Sequence, residues 1–264
     1  MTRLDSGLAS FWENLPLLSR CRMEVKMPTC SFITDIDTSS AHLVGDTLTI
    51  PDGGLSFLTD SFAEIYASAL PQALRMISKE RQLGLSFFPN EAEACQNFHF
   101  FSKAFSQHPE PAHFHLSAPE EPSLCPCCID VAQFRVRQLA QNPLTAILAH
   151  AASSETSLVV SAENHDGLLT IAHTPVNLLR QDENLISEGT DDQLKISIRH
   201  LHAMRLTEET LDGVPHQSLA LLNSHGDITC TLSAPSAKIA TAWQDVLGRK
   251  DNCYQIHESR KSPS

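Results

Sequence analysis

Short turn sequences containing aspartate and glycine separate the apolar runs of this chain, and they restrict its fold more than any other feature. NHDG, at 164–167, lies between the strand-like runs 157–162 and 168–173. SHGD, at 224–227, lies in the same way between 218–222 and 228–232. Because such turns join neighbouring strands as hairpins, they predict antiparallel rather than parallel pairing.

Apolar periodicity predicts the remaining elements. Helical spacing indicates helices at 7–18, 60–69, 131–152 and 238–247, with Pro143 as a break or the first turn of a second helix. Further strand-like runs lie at 30–36, 42–50, 83–88, 97–101 and 194–198. Hairpins flanked by helices, rather than strands alternating with helices, favour the α+β class.

Weak internal similarity indicates tandem repetition. LSFFPNEAEA, at 85–94, aligns with LALLNSHGDI, at 219–228, and ALRM, at 73–76, aligns with AMRL, at 203–206. The two alignments have nearly the same offset. They predict two tandem repeats, each an antiparallel sheet with flanking helices.

A proline-rich stretch separates the two predicted repeats. QHPEPAHFHLSAPEEPSLCPCCI, at 107–129, holds five prolines, each of which removes a backbone donor and disfavours helix before it. We therefore predict a first repeat at 1–106, a linker at 107–129, a second repeat at 130–250 and a polar tail at 251–264.

The charge balance excludes several classes of partner. The chain has 31 acidic and 19 basic residues, a formal net charge of −12, which argues against nucleic acid and anionic membrane surfaces. No window of about 18 apolar residues predicts a membrane span, and the first residues lack the apolar core of a secretion signal. We therefore expect a cytoplasmic protein whose eight cysteines are reduced thiols.

The order of several longer segments resembles that of a known family, the bacterial haem-utilisation proteins called hemin-degrading factors. In the second half the similar segments are PLTAILAHAASSETSLVVSAENHDGLLTIAHTPVNLL, at 143–179, and LKISIRHLHAMRLTEETLDGVPHQSLALLNSHGDI, at 194–228. In the first half they are RLDSGLASFWENLPLLSRCRMEV, at 3–25, and LGLSFFPNEAEA, at 83–94. The chain thus looks like a divergent member of the family.

The resemblance implies a fold of two stacked antiparallel sheets and a cytoplasmic protein that holds haem between its repeats. In the family a histidine near the start of the second repeat ligates the iron, and that position falls at His113 or His115. Ser56 stands where a family arginine meets the haem. The candidate partners of the two propionates are therefore other cations, Arg75, Arg199 and Arg205.

Three cysteines lie close together in SLCPCCID, at 123–130. Cys125 and Cys128 have the spacing of a zinc half-site, and His113 and His115 supply two further donors for a tetrahedral site. Cys125, followed by a proline, is alternatively a thiolate ligand of haem. A thioredoxin-like redox pair is a third interpretation, but the surrounding pattern lacks the preceding strand that it requires.

These observations predict a haem-binding cytoplasmic protein for haem-iron utilisation or haem trafficking. Its expected partners are haem, a haem importer, an electron donor if the ring is opened, and a second copy in a homodimer. Haem degradation by an oxygenase-like reaction stays open. The alternative is a non-haem member of the same fold that acts as an interaction or regulatory module, with zinc in the linker.

Overall fold

The computed structural model describes residues 1–4, 9–90, 92–109, 116, 142–211 and 213–247. Within these ranges the helices are α1 (Ala9–Glu13), α2 (Ala92–Ala104), α3 (Pro143–Ser153) and α4 (Ser236–Leu247). The strands are β1 (Thr2–Leu4), β2 (Arg20–Lys26), β3 (Cys30–Asp37), β4 (His42–Val44), β5 (Thr47–Ile50), β6 (Leu55–Leu58), β7 (Phe62–Ala69), β8 (Gln72–Ser78), β9 (Gly84–Pro89), β10 (Ser106–Pro109), β11 (Leu158–Asn164), β12 (Gly167–His173), β13 (Asn177–Gln181), β14 (Asn184–Glu188), β15 (Asp192–Ser197), β16 (Ala203–Leu211), β17 (Val214–Leu222) and β18 (Ile228–Pro235). Short 3-10 helices lie at Leu15–Leu18, Thr38–Ser40 and Thr59–Ser61.

The described residues divide into two compact units. The first takes in those of Met1–Pro119 with Ser161–Ile171 and Asp191–Leu194, and the second takes in those of Glu120–Val160, Ala172–Thr190 and Lys195–Ser264.

The strands form two sheets, and the characterised strand pairs are antiparallel. The predicted α+β class is therefore confirmed, whereas the predicted repeat boundaries at 106, 129 and 250 stay predictions. None of the helices in the described ranges is long and apolar enough to cross a membrane.

The first unit contains neighbouring strands in the order β10–β1–β7–β8–β9–β2–β3, and α2 follows β9 in the chain. An aromatic cluster fills its core. The Phe11 ring lies edge-on to Trp12 at 4.9 Å and to Phe101 at 5.0 Å between centroids, and Phe57 meets Phe62 at 5.0 Å. Such edge-to-face pairs add to the free energy that burial of the rings contributes.

The second unit contains the meander β16–β17–β18, after which α4 begins directly at Ser236. Helix α3 starts as its sequence dictates. Pro143 occupies the first turn, and the Asn142 side chain accepts a hydrogen bond from the Leu144 amide at 2.9 Å. Pro143 thus begins a helix, which settles the choice that the sequence left open.

Two predicted elements are of the wrong type. Residues 60–69, predicted as a helix, include β7, and 97–101, predicted as a strand, belongs to α2. In β7 the pairing register shifts between Phe62 and Glu64, so the apolar residues Phe62 and Ile65 are both buried at a helix-like spacing of three. In α2 the buried residues Ala94, Phe98 and Phe101 have true helical spacing, which the surrounding aromatic residues obscured.

The sequence alignment of 85–94 with 219–228 matches elements that hold different positions in the order of their units. The first segment runs from β9 into α2, whereas the second runs from β17 into β18. By element order, β7–β8–β9–α2 of the first unit corresponds to β16–β17–β18–α4 of the second. The two units thus have the same order of elements. This correspondence is shifted by one strand relative to the sequence alignment.

Candidate functional site

The predicted iron and zinc ligands His113, His115, Cys125 and Cys128 lie outside the described residues, so they stay predictions. Within the part of the chain that the structure describes, no group of three or more His, Cys, Asp or Glu is arranged to hold a metal ion. The candidate cations, in contrast, are all described.

Arg75 lies on β8 in the first unit. Its register partners are Tyr66 on β7 and Ser86 on β9. The side chain is half-buried, and its guanidinium carbon lies 5.6 Å from the centroid of the Phe88 ring. The arginine charge is therefore held against an aromatic face, where a cation–π contact fixes its position.

Arg199 and Arg205 both lie in the second unit. Nη1 of Arg199 is 3.4 Å from Oε2 of Glu183, and the two side chains are 45% and 43% exposed. An ion pair this exposed contributes little stability, so Arg199 can exchange Glu183 for another carboxylate at small cost. Arg205 is exposed on β16, opposite Ala220 of β17. The structure thus groups these two cations in one unit and places Arg75 in the other.

An open cleft of about 680 Å³ lies in the first unit between α2 and the strands β1, β7 and β8. Volumes of this order accommodate small-molecule ligands. The lining residues are Thr2, Ala67, Ser68, Ala69, Gln72, Ala73, Leu74, Cys95, Gln96, Phe98, His99, Phe101, Ser102, Lys103 and Ser106. Sequence reasoning did not find this cleft.

Small side chains on the strands account for the open space. Ala67 is paired with Thr2 of β1 on one side and with Leu74 of β8 on the other, and Ala69 is paired with Gln72. Directly paired residues share one face of a sheet, so alanine and threonine occupy much of this surface. The Gln72 side chain reaches across and donates a hydrogen bond to the Cys95 carbonyl of α2 at 2.8 Å.

Three ionisable side chains of α2 border the cleft. Among the residues that the structure describes there, Lys103 and His99 are exposed and Cys95 is half-buried. Cys95, His99 and Lys103 recur every four residues, which places them along one side of the helix. Had 92–104 been predicted as a helix, this spacing would have been the available signal.

Two buried polar contacts in the second unit are internal to its strands. His173 Nε2 and Ser187 Oγ lie 2.8 Å apart, and both residues are buried. Ser218 Oγ lies 2.6 Å from Ser233 Oγ, and both hydroxyls also contact the Glu209 carboxylate. Because buried polar groups are costly without partners, we assign these contacts a structural role.

No family model matches the chain, and no curated protein sequence matches it. Solved structures do match. The heme degrading enzyme ChuS of Escherichia coli O157:H7 has a TM-score of 0.68 at 12% identity, over 94% of this chain and 86% of that one. The apo form of PhuS, a heme-binding protein from Pseudomonas aeruginosa, has a TM-score of 0.67 at 13% identity, over 93% and 85%.

At this level of identity the likeness establishes the fold. It covers almost the whole chain, and it agrees with the resemblance deduced from segments in both halves of the sequence. The predicted relation to the hemin-degrading factors is therefore confirmed as a likeness of fold, at a sequence identity of 12% and 13% to the solved structures.

Proposed function

We propose that this protein binds haem and acts in haem-iron utilisation or haem trafficking. The observation that carries the proposal is the fold, which this chain has in common, over 94% of its length, with a structure described as a heme degrading enzyme. A protein described as heme-binding has the same fold over 93% of the chain. The collinear sequence segments at 143–179 and 194–228 support the same conclusion independently.

Haem requires an axial donor, an apolar surface and cations for its propionates. His113 and His115 are proposed axial donors because the resemblance places the iron ligand there, and Cys125 is a third candidate because a proline follows it. Arg75, Arg199 and Arg205 are the proposed propionate partners. Arg205 is exposed on β16, and the ion pair between Arg199 and Glu183 is itself exposed, so exchanging that pair for one with a propionate costs little.

Hemin titration of the purified chain tests the proposal. We expect a shifted Soret band that saturates at a fixed stoichiometry, because protein ligation changes the electronic environment of the iron. A spectrum identical to that of free hemin at stoichiometric protein would contradict haem binding. The variants His113→Ala, His115→Ala and Cys125→Ala then identify the axial donor. His165→Ala is their control, since His165 is 67% exposed and has no proposed role.

We propose that the protein accepts haem from an importer and hands it on, with ring opening as a separable second step. That step consumes electrons and dioxygen, so it is tested by adding a chemical reductant in air to the hemin complex. Loss of the Soret band with release of iron would show degradation. A stable reduced spectrum would restrict the function to carriage.

A further inference from the structure

Strand β16, in the second unit, is the longest of the strands that lie at a sheet edge. The edge strands in the described part of the chain are β4, β10, β13 and β16, with three, four, five and nine residues. The register of β16 with β17 is continuous from one end of the strand to the other. Proteins usually protect an edge strand from pairing with other chains by shortness, a bulge or charged side chains. The charges on β16 therefore decide what it can pair with.

The charged side chains on one face of β16 complement each other but lie too far apart to meet. Arg205, Thr207 and Glu209 are exposed, and they share a face because side chains alternate along a strand. Four residues of extended chain separate the arginine from the glutamate by about 13 Å, too far for an ion pair within one strand. The Ser218 and Ser233 hydroxyls both contact Oε1 of Glu209, so the carboxylate is positioned in advance and loses less side-chain entropy when it pairs.

A second copy of β16 brings these charges together in one register. Directly paired side chains share a face, so a two-fold axis between two antiparallel copies is centred on a residue. An axis at Thr207 places Arg205 of each copy opposite Glu209 of the other. An axis at Arg205, Glu208 or Glu209 places like charges opposite each other, and an axis at Leu206 joins no two charges. Of these registers, only the one centred on Thr207 joins opposite charges.

We propose that this edge is an interface between two copies of the chain, in which β16 pairs antiparallel with itself about Thr207. Two ion pairs between Arg205 and Glu209 and one threonine pair then lie on the same face, and cross-strand pairs of both kinds stabilise antiparallel sheets. Glu208 lies on the other face, opposite Leu206 of the second copy. The proposal gives the expected homodimer a surface, and it does not depend on haem binding.

Sedimentation velocity over a range of protein concentrations measures the association. Hemin is left out, because Arg205 is also a proposed propionate partner. The wild-type protein should form a species of twice the mass of the chain. Arg205→Glu and Glu209→Arg should each weaken the dimer about tenfold or more, since each places like charges opposite each other at two symmetric positions. The double variant restores opposite charges, so its dimer should be within several-fold of the wild-type affinity.

Glu208→Arg is the matched control for charge. It changes the net charge as much as Glu209→Arg does, at the neighbouring residue, but on the face without an ion pair. We therefore expect it to leave the dimer affinity within several-fold of that of the wild-type protein. Far-ultraviolet circular dichroism of each variant checks the fold.

Thr207→Cys tests the register directly. The two introduced thiols face each other across the axis, where paired Cβ atoms are about 4.5–5.5 Å apart, so mild oxidation should join the two copies by a disulfide. Thr210→Cys is the control, because Thr210 is also exposed on β16 but its two copies lie about 20 Å apart along the strand direction. The wild-type protein gives the background from the eight native cysteines.

Three results would overturn the proposal. The first is a wild-type chain that stays monomeric over the whole concentration range. The second is a dimer that both charge reversals leave unchanged, or that the double variant does not restore, since another surface would then hold it together. The third is cross-linking of Thr210→Cys as fast as that of Thr207→Cys. The cysteine variants keep the test valid if Glu209→Arg does not fold, and a failure to bind hemin leaves the proposal intact.

Discussion

Helices α2 and α4 hold the same place in the order of their units but differ in what they do there. Each follows three antiparallel strands and buries large side chains, Ile239 and Trp243 in α4 and Phe98 and Phe101 in α2, but α2 in addition borders a cleft of about 680 Å³. The strand residues opposite α2 include Ala67 and Ala69, too small to fill the space. The same element order therefore closes a core or lines a cleft, according to the side chains on the sheet.

The largest expected difference between α4 and α2 is in the cost of truncating a large aromatic residue of each helix. Trp243→Ala removes a side chain with no exposed surface, so we expect a loss of about 3–5 kcal/mol in the free energy of unfolding. Phe98→Ala should cost at least about 1 kcal/mol less, because its ring borders open space and loses fewer contacts. Urea denaturation followed by circular dichroism measures both.

The chain provides its own reporters for this experiment. It has two tryptophans, Trp12 in the first unit and Trp243 in the second. Trp243→Phe is the control for size, and it leaves Trp12 as the sole fluorescent probe of the first unit. Equal costs for Trp243→Ala and Phe98→Ala would contradict a difference in packing between the two helices.

Alkaline pH should weaken the first unit through Cys21. Burial, with the charges of Asp35 and Asp37 adding to it, raises the pKa of this thiol to about 12 from 9.0. The folded state thus keeps the proton over a range in which the unfolded chain loses it. Cys21 therefore does not lower the free energy of unfolding below about pH 9. Between about pH 9 and about pH 12 it lowers that free energy by about 1.4 kcal/mol for each pH unit.

Cys21→Ala isolates this contribution. Between pH 8 and pH 10 the wild-type protein should lose about 1.4 kcal/mol more of its unfolding free energy than the variant does. Urea denaturation in the Trp243→Phe background, followed through Trp12, makes the measurement in the first unit. If the free energies of unfolding of the wild-type protein and of Cys21→Ala fell equally with pH, the buried thiol would have no part in alkaline unfolding.

Enlarging an alanine in each unit should show the difference in free space directly. Ala234 on β18 has no exposed surface, so Ala234→Leu should cost about 1–3 kcal/mol by overpacking. Ala67 borders the cleft, and Ala67→Leu should stay within about 0.5 kcal/mol of the wild-type protein because the added methyl groups have room. Thermal unfolding of the two variants measures both losses of stability. A similar loss in both variants would mean that the cleft closes in solution.

The hairpins were predictable because their determinants are local. In NHDG the Asn164 side chain accepts hydrogen bonds from the Asp166 and Gly167 amides, at 3.0 and 3.1 Å. In SHGD the preceding Asn223 does the same for His225 and Asp227, both at 2.9 Å. An asparagine side chain that caps its own turn needs no distant partner, so a short stretch of sequence is sufficient.

The cleft was not predictable, because its walls come from residues that are distant in sequence. Thr2, Ala67 and Leu74 become neighbours only through the register of three strands. Two local predictions were also wrong. The bulge in β7 gives its buried residues a helix-like spacing, and the aromatic residues of α2 have a pattern typical of a strand. The order of most elements was still predicted correctly, so the fold was predicted although its cleft was not.

Cysteine accessibility gives the smallest and most specific contrast between the units. Cys95 is half-buried on α2 beside the cleft, whereas Cys230 on β18 is 1% exposed. Under native conditions an alkylating reagent should modify Cys95 faster than Cys230 by on the order of tenfold or more, because Cys230 reacts only when its strands open. Mass spectrometry of the two peptides measures the rates, with labelling in urea as the control for intrinsic reactivity. Equal native rates would show that α2 and β18 open equally often, and would remove the distinction between a closed core and a lined cleft.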